Sequence, residues 1–211
     1  MSSDRLLAFA AIAFVVIVLP GPSVLFVVGR ALASGRRVAV FSVLGNAVGE
    51  YVQVIAIAVG IGALVKQSVA AFTVLKLLGG CYLLYLGVKT FRERKSLAQA
   101  LSSSAPTRSD GVSFAQGFMV GATNPKTVVF LAAVLPQFVS RAAGGVAGQI
   151  LILGLLFALI AVASDTLWAL AAGTLRSWFA RSPRRLELVG GAGGLGIAAV
   201  GVGFLVSGRK G

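Results

Sequence analysis

Residues 6–30 read LLAFAAIAFVVIVLPGPSVLFVVGR, and this stretch sets the terms for the whole chain. It is apolar for longer than the roughly 20 residues that carry an α-helix across the ~30 Å hydrocarbon core of a bilayer. It also holds Pro20-Gly21-Pro22, which cannot be uninterrupted helix, because each proline lacks an N–H and clashes with the preceding turn. The stretch therefore predicts a membrane span broken near the membrane interior. Further apolar runs follow it, and spans are expected at about 5–30, 38–64, 69–91, 112–139, 146–175 and 185–207.

Composition leads to the same solvent. With 57% hydrophobic and 12% charged residues, 211 residues have too little polar surface to coat a soluble globule. The spans leave no room for a soluble domain, so residues 1–211 are expected to be a single all-α, polytopic transmembrane domain. The net charge of +13 would suggest nucleic acid in a soluble protein. Here the basic residues sit between spans without aromatic interleaving, as topology signals do, and no nucleic-acid partner is expected.

Counting Lys and Arg by loop gives an orientation. Arg30, Arg36 and Arg37 follow the first span; Lys89, Arg92, Arg94, Lys95 and Arg108 follow the third; Arg176, Arg181, Arg184 and Arg185 follow the fifth. The opposite face carries Arg5, Lys66, Arg141, Arg209 and Lys210. The heavier face is expected to be cytoplasmic and both termini periplasmic. The first run is not expected to be a cleaved signal peptide, because it is too long, is interrupted by prolines, and carries its heavier charge after the apolar stretch. One cysteine, Cys81, and no histidine remove an intramolecular disulfide, a dithiol pair, His/Cys metal sites and His-based triads from consideration. No cofactor is expected.

The stretch Arg92 to Asp110, rich in serine, reads as a loop dividing the chain into two halves: repeat one over about 1–95, a cytoplasmic loop over about 92–111, repeat two over about 112–211. Each half opens with a proline-broken span, Pro20-Gly21-Pro22 in the first and Asn124-Pro125 in the second. Each carries an acid in its next span, Glu50 and Asp165. Three spans per half is an odd number, so the halves enter the membrane from opposite sides and are expected to be inverted three-helix repeats with broken first and fourth helices. Transporters built this way bind substrate at the midplane, where the broken helices meet. Chance placement of two prolines and two acids is the alternative.

Pro22 suits the first turn of a restarted helix, and Asn124 before Pro125 matches the preferred N-cap then N1 order. Each break would present backbone N–H groups inside the membrane, where a substrate carboxylate could bind; a simple proline kink satisfied by neighbours is the plainer reading. Glu50, Lys76, Lys126 and Asp165 lie within spans and should face the bundle interior, given the cost of charge in hydrocarbon. By helix rise, Glu50 and Lys76 both lie roughly 20 Å from cytoplasmic anchors, so an ion pair between them is expected, with a register-fixing role as the structural alternative. Asp165, without so evident a partner, is the better candidate for taking up and releasing a proton, against a purely structural bond to a neighbour. Lys126 is expected to face a cavity beside the Asn124-Pro125 break. Glycine pairs at four-residue spacing, Gly45/Gly49, Gly117/Gly121 and Gly190/Gly194, allow close helix contact, and the glycine-rich sixth span is expected to pack on another helix or on a second subunit in a homodimer.

With these residues in hand, the chain resembles the LysE/RhtB family of bacterial amino-acid exporters over most of its length. Pro20-Gly21-Pro22-Ser23 looks like the family's PGP signature, which usually continues with Asn at the place of Ser23. Arg30 to Gly35 and Gly45 to Gln53, with Asn46 inside it, look like the second-span motif, where an Asp often stands at the place of Glu50 and a His at that of Gln53. Leu75 to Gly87 is very similar to the third span, including its basic Lys76; Asn124-Pro125-Lys126 and Leu135-Pro136-Gln137-Phe138 resemble the fourth-span motif; Asp165 and Trp168 are placed as in the fifth. The resemblance implies a proton-driven exporter of amino acids or related metabolites in the bacterial inner membrane. The candidate substrate-binding set is then Pro20, Gly21, Pro22, Ser23, Asn46, Glu50, Gln53, Asn124, Pro125, Lys126 and Asp165, with Glu50 and Asp165 coupling protons.

Three rivals are weighed against that reading. A heavy-metal cation exporter would find a thin ligand set in two acids and one cysteine. An intramembrane enzyme would need Glu50 and Asp165 close enough to share a proton. A scaffold would use the buried charges only to fix helix register.

Overall fold

A computed structural model describes residues 3–64, 69–95, 109–140, 142–175, 178 and 182–206. Among the described residues every regular element is helical: α1 (Ser3–Val18), α2 (Pro22–Ser34), α3 (Arg36–Leu64), α4 (Val69–Arg92), α5 (Asp110–Ala122), α6 (Pro125–Phe138), α7 (Val146–Thr174) and α8 (Pro183–Val206).

Both expected breaks are present. The axes of α1 and α2 diverge by 53° and those of α5 and α6 by 50°, each across a short gap. At the first break Gly21 is the extended N-cap of α2 and Pro22 its first residue. At the second, the Asn124 side chain accepts from Lys126 N at 3.1 Å while Pro125 takes the N1 position, where its missing N–H costs nothing. By length and composition α3, α7 and α8 can each cross a membrane, and each bent pair can cross as one span. The helix expected over 69–91 is α4, whose 24 residues rise ~36 Å.

Side chains are sorted as a bilayer requires. Val59, Leu159 and Leu167 are 76%, 60% and 68% exposed, while Asn46, Glu50, Lys126 and Asp165 are buried. Apolar side chains can face lipid, whereas unpaired polar groups cannot. The packed interior runs along α7, where Phe157 stacks on Phe130 of α6 with ring centroids 5.7 Å apart and Phe130 in turn meets Phe9 of α1.

Glycine fixes the two tightest helix pairs. Gly45 and Gly49 of α3 lie against the backbone of Phe114, Phe118 and Ala122 in α5, and Gly117 and Gly121 lie against that of Ser42 and Asn46. A Cβ at any of these four would overlap the partner's main chain, so the approach requires glycine on both sides. In the α4–α8 pair, Gly80 meets Gly201 and Gly87 meets Gly194 and Ala198. Gly193 and Gly196 rest on Pro20 and Leu19 at the first break.

In the bundle α5 packs on α3, α1 packs on α7, α3 pairs with α7, and α4 with α8. Among the described residues, basic side chains from several helices gather at one end of the bundle. There Arg37 meets Asp110 at 2.7 Å, Arg36 donates to Thr174 at 2.8 Å, Arg30 donates to Gln116, and Arg94 lies beside Gly190 and Gly191.

Candidate functional site

Ser42, Asn46, Glu50 and Gln53 recur at three- to four-residue spacing along α3 and so form a polar stripe on one side of the helix. Lipid offers such groups no partners, so the stripe must turn inward. It faces the two breaks. Ser23 sits in the first turn of α2, Asn124, Lys126 and Thr127 begin α6, and Asp165 comes from the middle of α7. Ser23, Asn46, Glu50, Gln53, Asn124, Lys126, Thr127 and Asp165 are each no more than 6% exposed.

Hydrogen bonds join them into one network. Asn124 Nδ2 donates to Ser23 Oγ at 2.7 Å, and the single Ser23 hydroxyl proton goes to Asn46 Oδ1 at 2.9 Å, with Glu50 Oε1 a longer alternative acceptor at 3.5 Å. Thr127 Oγ1 donates to the same Glu50 oxygen at 3.0 Å. Asn46 Nδ2 reaches Asp165 Oδ2 at 3.4 Å, so the bonded path between the two acids runs through Ser23 and Asn46. Gln53 Nε2 donates to Gly121 O at 2.7 Å and Asn124 O at 3.3 Å, binding α3 to the end of α5 across the second break.

Lys126 crosses from the second break to the first. Its Nζ donates to Val16 O and Leu19 O, both at 3.1 Å, and these are carbonyls that the proline break deprives of helical partners. A cation there also opposes the negative end of the α1 dipole. Gly21 permits the crossing, since a Cβ on it would lie 3.1 Å from Lys126 Nζ. Lys126 thus does face inward beside its break, and two of its three N–H groups are engaged by α1. Its charge still acts on both Glu50 and Asp165.

The structure brings together Ser23, Asn46, Glu50, Gln53, Asn124, Lys126 and Asp165, with Pro20, Gly21, Pro22 and Pro125 shaping the two breaks. Glu50 takes its hydrogen bonds from Thr127 and Ser23; the expected pairing with Lys76 falls outside the described side chains. Asp165 bonds Asn46 on another helix, in place of the neighbours considered for it. Sequence reading missed Thr127. Its signal was a hydroxyl three residues after a membrane-buried N-cap, in the first turn of a restarted helix. Trp168, also placed by resemblance, packs at the edge of the α2–α3–α7 core and is not part of the network.

A broken-helix membrane bundle with a buried polar and charged junction is the architecture of a transporter, and sequence comparison places this chain among such proteins. The model of the LysE type translocator family matches residues 14–208, and the chain belongs to that family. It is 36% identical over 166 residues to the uncharacterized membrane protein YrhP of Bacillus subtilis, covering 74% of this chain and 78% of the relative. It is 32% identical over 175 residues to the homoserine/homoserine lactone efflux protein of Salmonella typhimurium, covering 83% of each. No solved structure matches it.

Proposed function

We propose that this translocator exports amino acids or close derivatives across the bacterial inner membrane in exchange for protons. The observation that carries the reading is a charge imbalance at the junction of the two breaks. Among the described side chains, two buried carboxyl groups, Glu50 and Asp165, share the influence of one buried cation, Lys126. Low-dielectric surroundings make an uncompensated charge costly, so a second positive charge belongs at the site. A proton and a substrate ammonium can each supply it, and competition between them is antiport.

The substrate carboxylate would meet the restarted helix ends at Ser23 and at Asn124-Pro125, assisted by the third N–H of Lys126. Its ammonium would be drawn to Glu50 or Asp165. The reading includes six crossings, with α1–α2 and α5–α6 as broken spans and α4 as the third, arranged as inverted repeats. The pairing of α5 on α3 and α1 on α7 supports that arrangement. The clustered arginines mark the cytoplasmic end, which puts both termini in the periplasm. Homoserine and its lactone, named for the Salmonella relative, are the first substrates to try.

The test is uptake of labelled amino acids, homoserine and homoserine lactone into everted vesicles carrying the protein, with an acid-inside gradient and an uncoupler control. Uptake of one chemical group, abolished by uncoupler, is expected. No uptake of any member, with the protein present in the membrane, overturns the reading.

A further inference from the structure

Among the buried polar atoms of the network, two acceptors have no donor among the described residues: Glu50 Oε2 and Gln53 Oε1. Glu50 and Gln53 are 4% and 6% exposed, so bulk water does not serve them. An acceptor left unsatisfied in such a place carries the full cost of its desolvation, and native proteins keep few of them. The two are one turn apart on the same side of α3, where side chains at this spacing start about 5–6 Å from one another.

Both orientations are fixed by other bonds. Glu50 Oε1 accepts from Thr127 at 3.0 Å and lies 3.5 Å from Ser23 Oγ, which leaves Oε2 as the free oxygen of a carboxylate anchored at the other. The Gln53 amide is pinned by donation to two main-chain carbonyls, of Gly121 and Asn124. A flipped amide would set its oxygen against those carbonyls, so Oε1 is the atom turned away from them. The result is a carboxylate oxygen and an amide oxygen, preorganised and both demanding a donor.

We infer that Glu50 Oε2 and Gln53 Oε1 form the subsite for the substrate's primary ammonium group, with Gln53 the residue that selects for N–H donors. The inference rests on the export reading above and assigns one part of it. An ammonium carries several N–H donors on a single charged centre, and so serves both acceptors at once while balancing Glu50. Hard metal cations ask for six or more oxygens, and Glu50 Oε1 and the Gln53 amide nitrogen are already committed elsewhere. Asp165, outside this pair, is left to carry the exchanged proton, linked to Glu50 through Asn46 and Ser23.

The test is counterflow of labelled L-homoserine in proteoliposomes of the full chain, competed by L-homoserine and by its N-methyl, N,N-dimethyl and N,N,N-trimethyl derivatives. Competition should weaken as N–H donors are removed and fall at least about tenfold for the trimethyl compound, the loss expected for one charge-assisted hydrogen bond. This series uses the unaltered protein, so it cannot fail through misfolding. Gln53→Leu, where it folds, should raise the half-saturating concentration of homoserine by about the same factor and abolish discrimination between the parent and dimethyl compounds. Trimethyl homoserine competing as well as the parent, or Gln53→Leu discriminating as the unaltered protein does, overturns the inference and leaves export intact. Absence of counterflow for homoserine and for every amino acid of the vesicle panel overturns the export reading itself.

Discussion

Asn124 and Ser23 are 101 residues apart in the chain, yet Asn124 Nδ2 donates to Ser23 Oγ at 2.7 Å. Each lies at one of the two helix breaks, so this bond ties the two interrupted helices together inside the bundle. Asn124 does double duty, its Oδ1 capping α6 at Lys126 N. Cutting the bond between them leaves Asn124 Nδ2 without its acceptor in a buried place, while Ser23 Oγ keeps its bond to Asn46 Oδ1.

Ser23→Ala and Asn124→Ala are therefore expected to be coupled. Each should lower the melting temperature of the purified protein, at a cost of about 1–3 kcal/mol for the buried group left unpaired, with Asn124→Ala the worse because it also loses a helix cap. The double variant should cost less than the sum, by about 1 kcal/mol. Additive losses in detergent melting curves would mean that the bond does not exist in the folded protein.

The α3–α5 seam makes a prediction about space. Gly121→Ala puts a methyl group into the main chain of Asn46, and Gly45→Ala does the same at Phe114. Both should cut the yield of folded, monodisperse protein severely. Gly148→Ala, a helical position with nothing within 4 Å of an added Cβ, should be neutral or slightly stabilising, given alanine's helix advantage of up to ~1 kcal/mol. Fluorescence-detected size-exclusion chromatography separates the outcomes.

Lys126→Met should leave Val16 O and Leu19 O without their donor and remove a buried cation that acts on both Glu50 and Asp165. Transport should fall by at least about a hundredfold, with a loss of stability of ~2–5 kcal/mol for breaking a buried charged arrangement. Gly21→Ala should give a milder version of the same defect, since its methyl group presses on the Lys126 side chain. Full transport by Lys126→Met in the vesicle assay would remove Lys126 from the site.

What was legible in the sequence was whatever a single residue enforces locally. Pro22 after Pro20-Gly21 and Pro125 after Asn124 are each suited to the first turn of a new helix, so both breaks could be read, and Asn124 before a proline announced its own cap. Ionisable residues are costly in hydrocarbon, so Glu50, Lys126 and Asp165 had to turn inward. Partnerships were not legible. Helix rise gives the depth of Glu50 but not its direction around the axis, so depth alone could not single out Thr127 as a donor to it. The glycine pairs announced close contact without naming its other side; that Gly45 and Gly49 face Gly117 and Gly121 follows from the packing of two whole helices.

The two acids should separate in their effects on coupling. Asp165→Asn removes the carboxylate assigned to the proton, so exchange of labelled for unlabelled substrate should persist while accumulation driven by a pH gradient disappears. Glu50→Gln should weaken substrate exchange itself, raising the half-saturating concentration at least about tenfold. Comparing counterflow with gradient-driven uptake in the same vesicles distinguishes them. If both variants keep gradient-driven uptake, proton antiport through these acids is wrong.

Arg37 and Asp110 form the contrasting case at the basic end of the bundle. Their contact is 2.7 Å, as short as any in the network, but the side chains are 80% and 32% exposed. Water and salt screen such a pair, and exposed salt bridges contribute only about 0–1 kcal/mol. Arg37→Ala and Asp110→Ala should each move the melting temperature by no more than a few degrees and leave transport within about twofold, while the exchanged pair Arg37→Asp with Asp110→Arg should match the parent protein in both. The exchange also keeps the net charge of that end, so it should not disturb insertion by the positive-inside rule. A large loss in the exchanged pair would mean that this corner, joining the start of α3 to the start of α5, changes its contacts during transport and needs each charge in its own place.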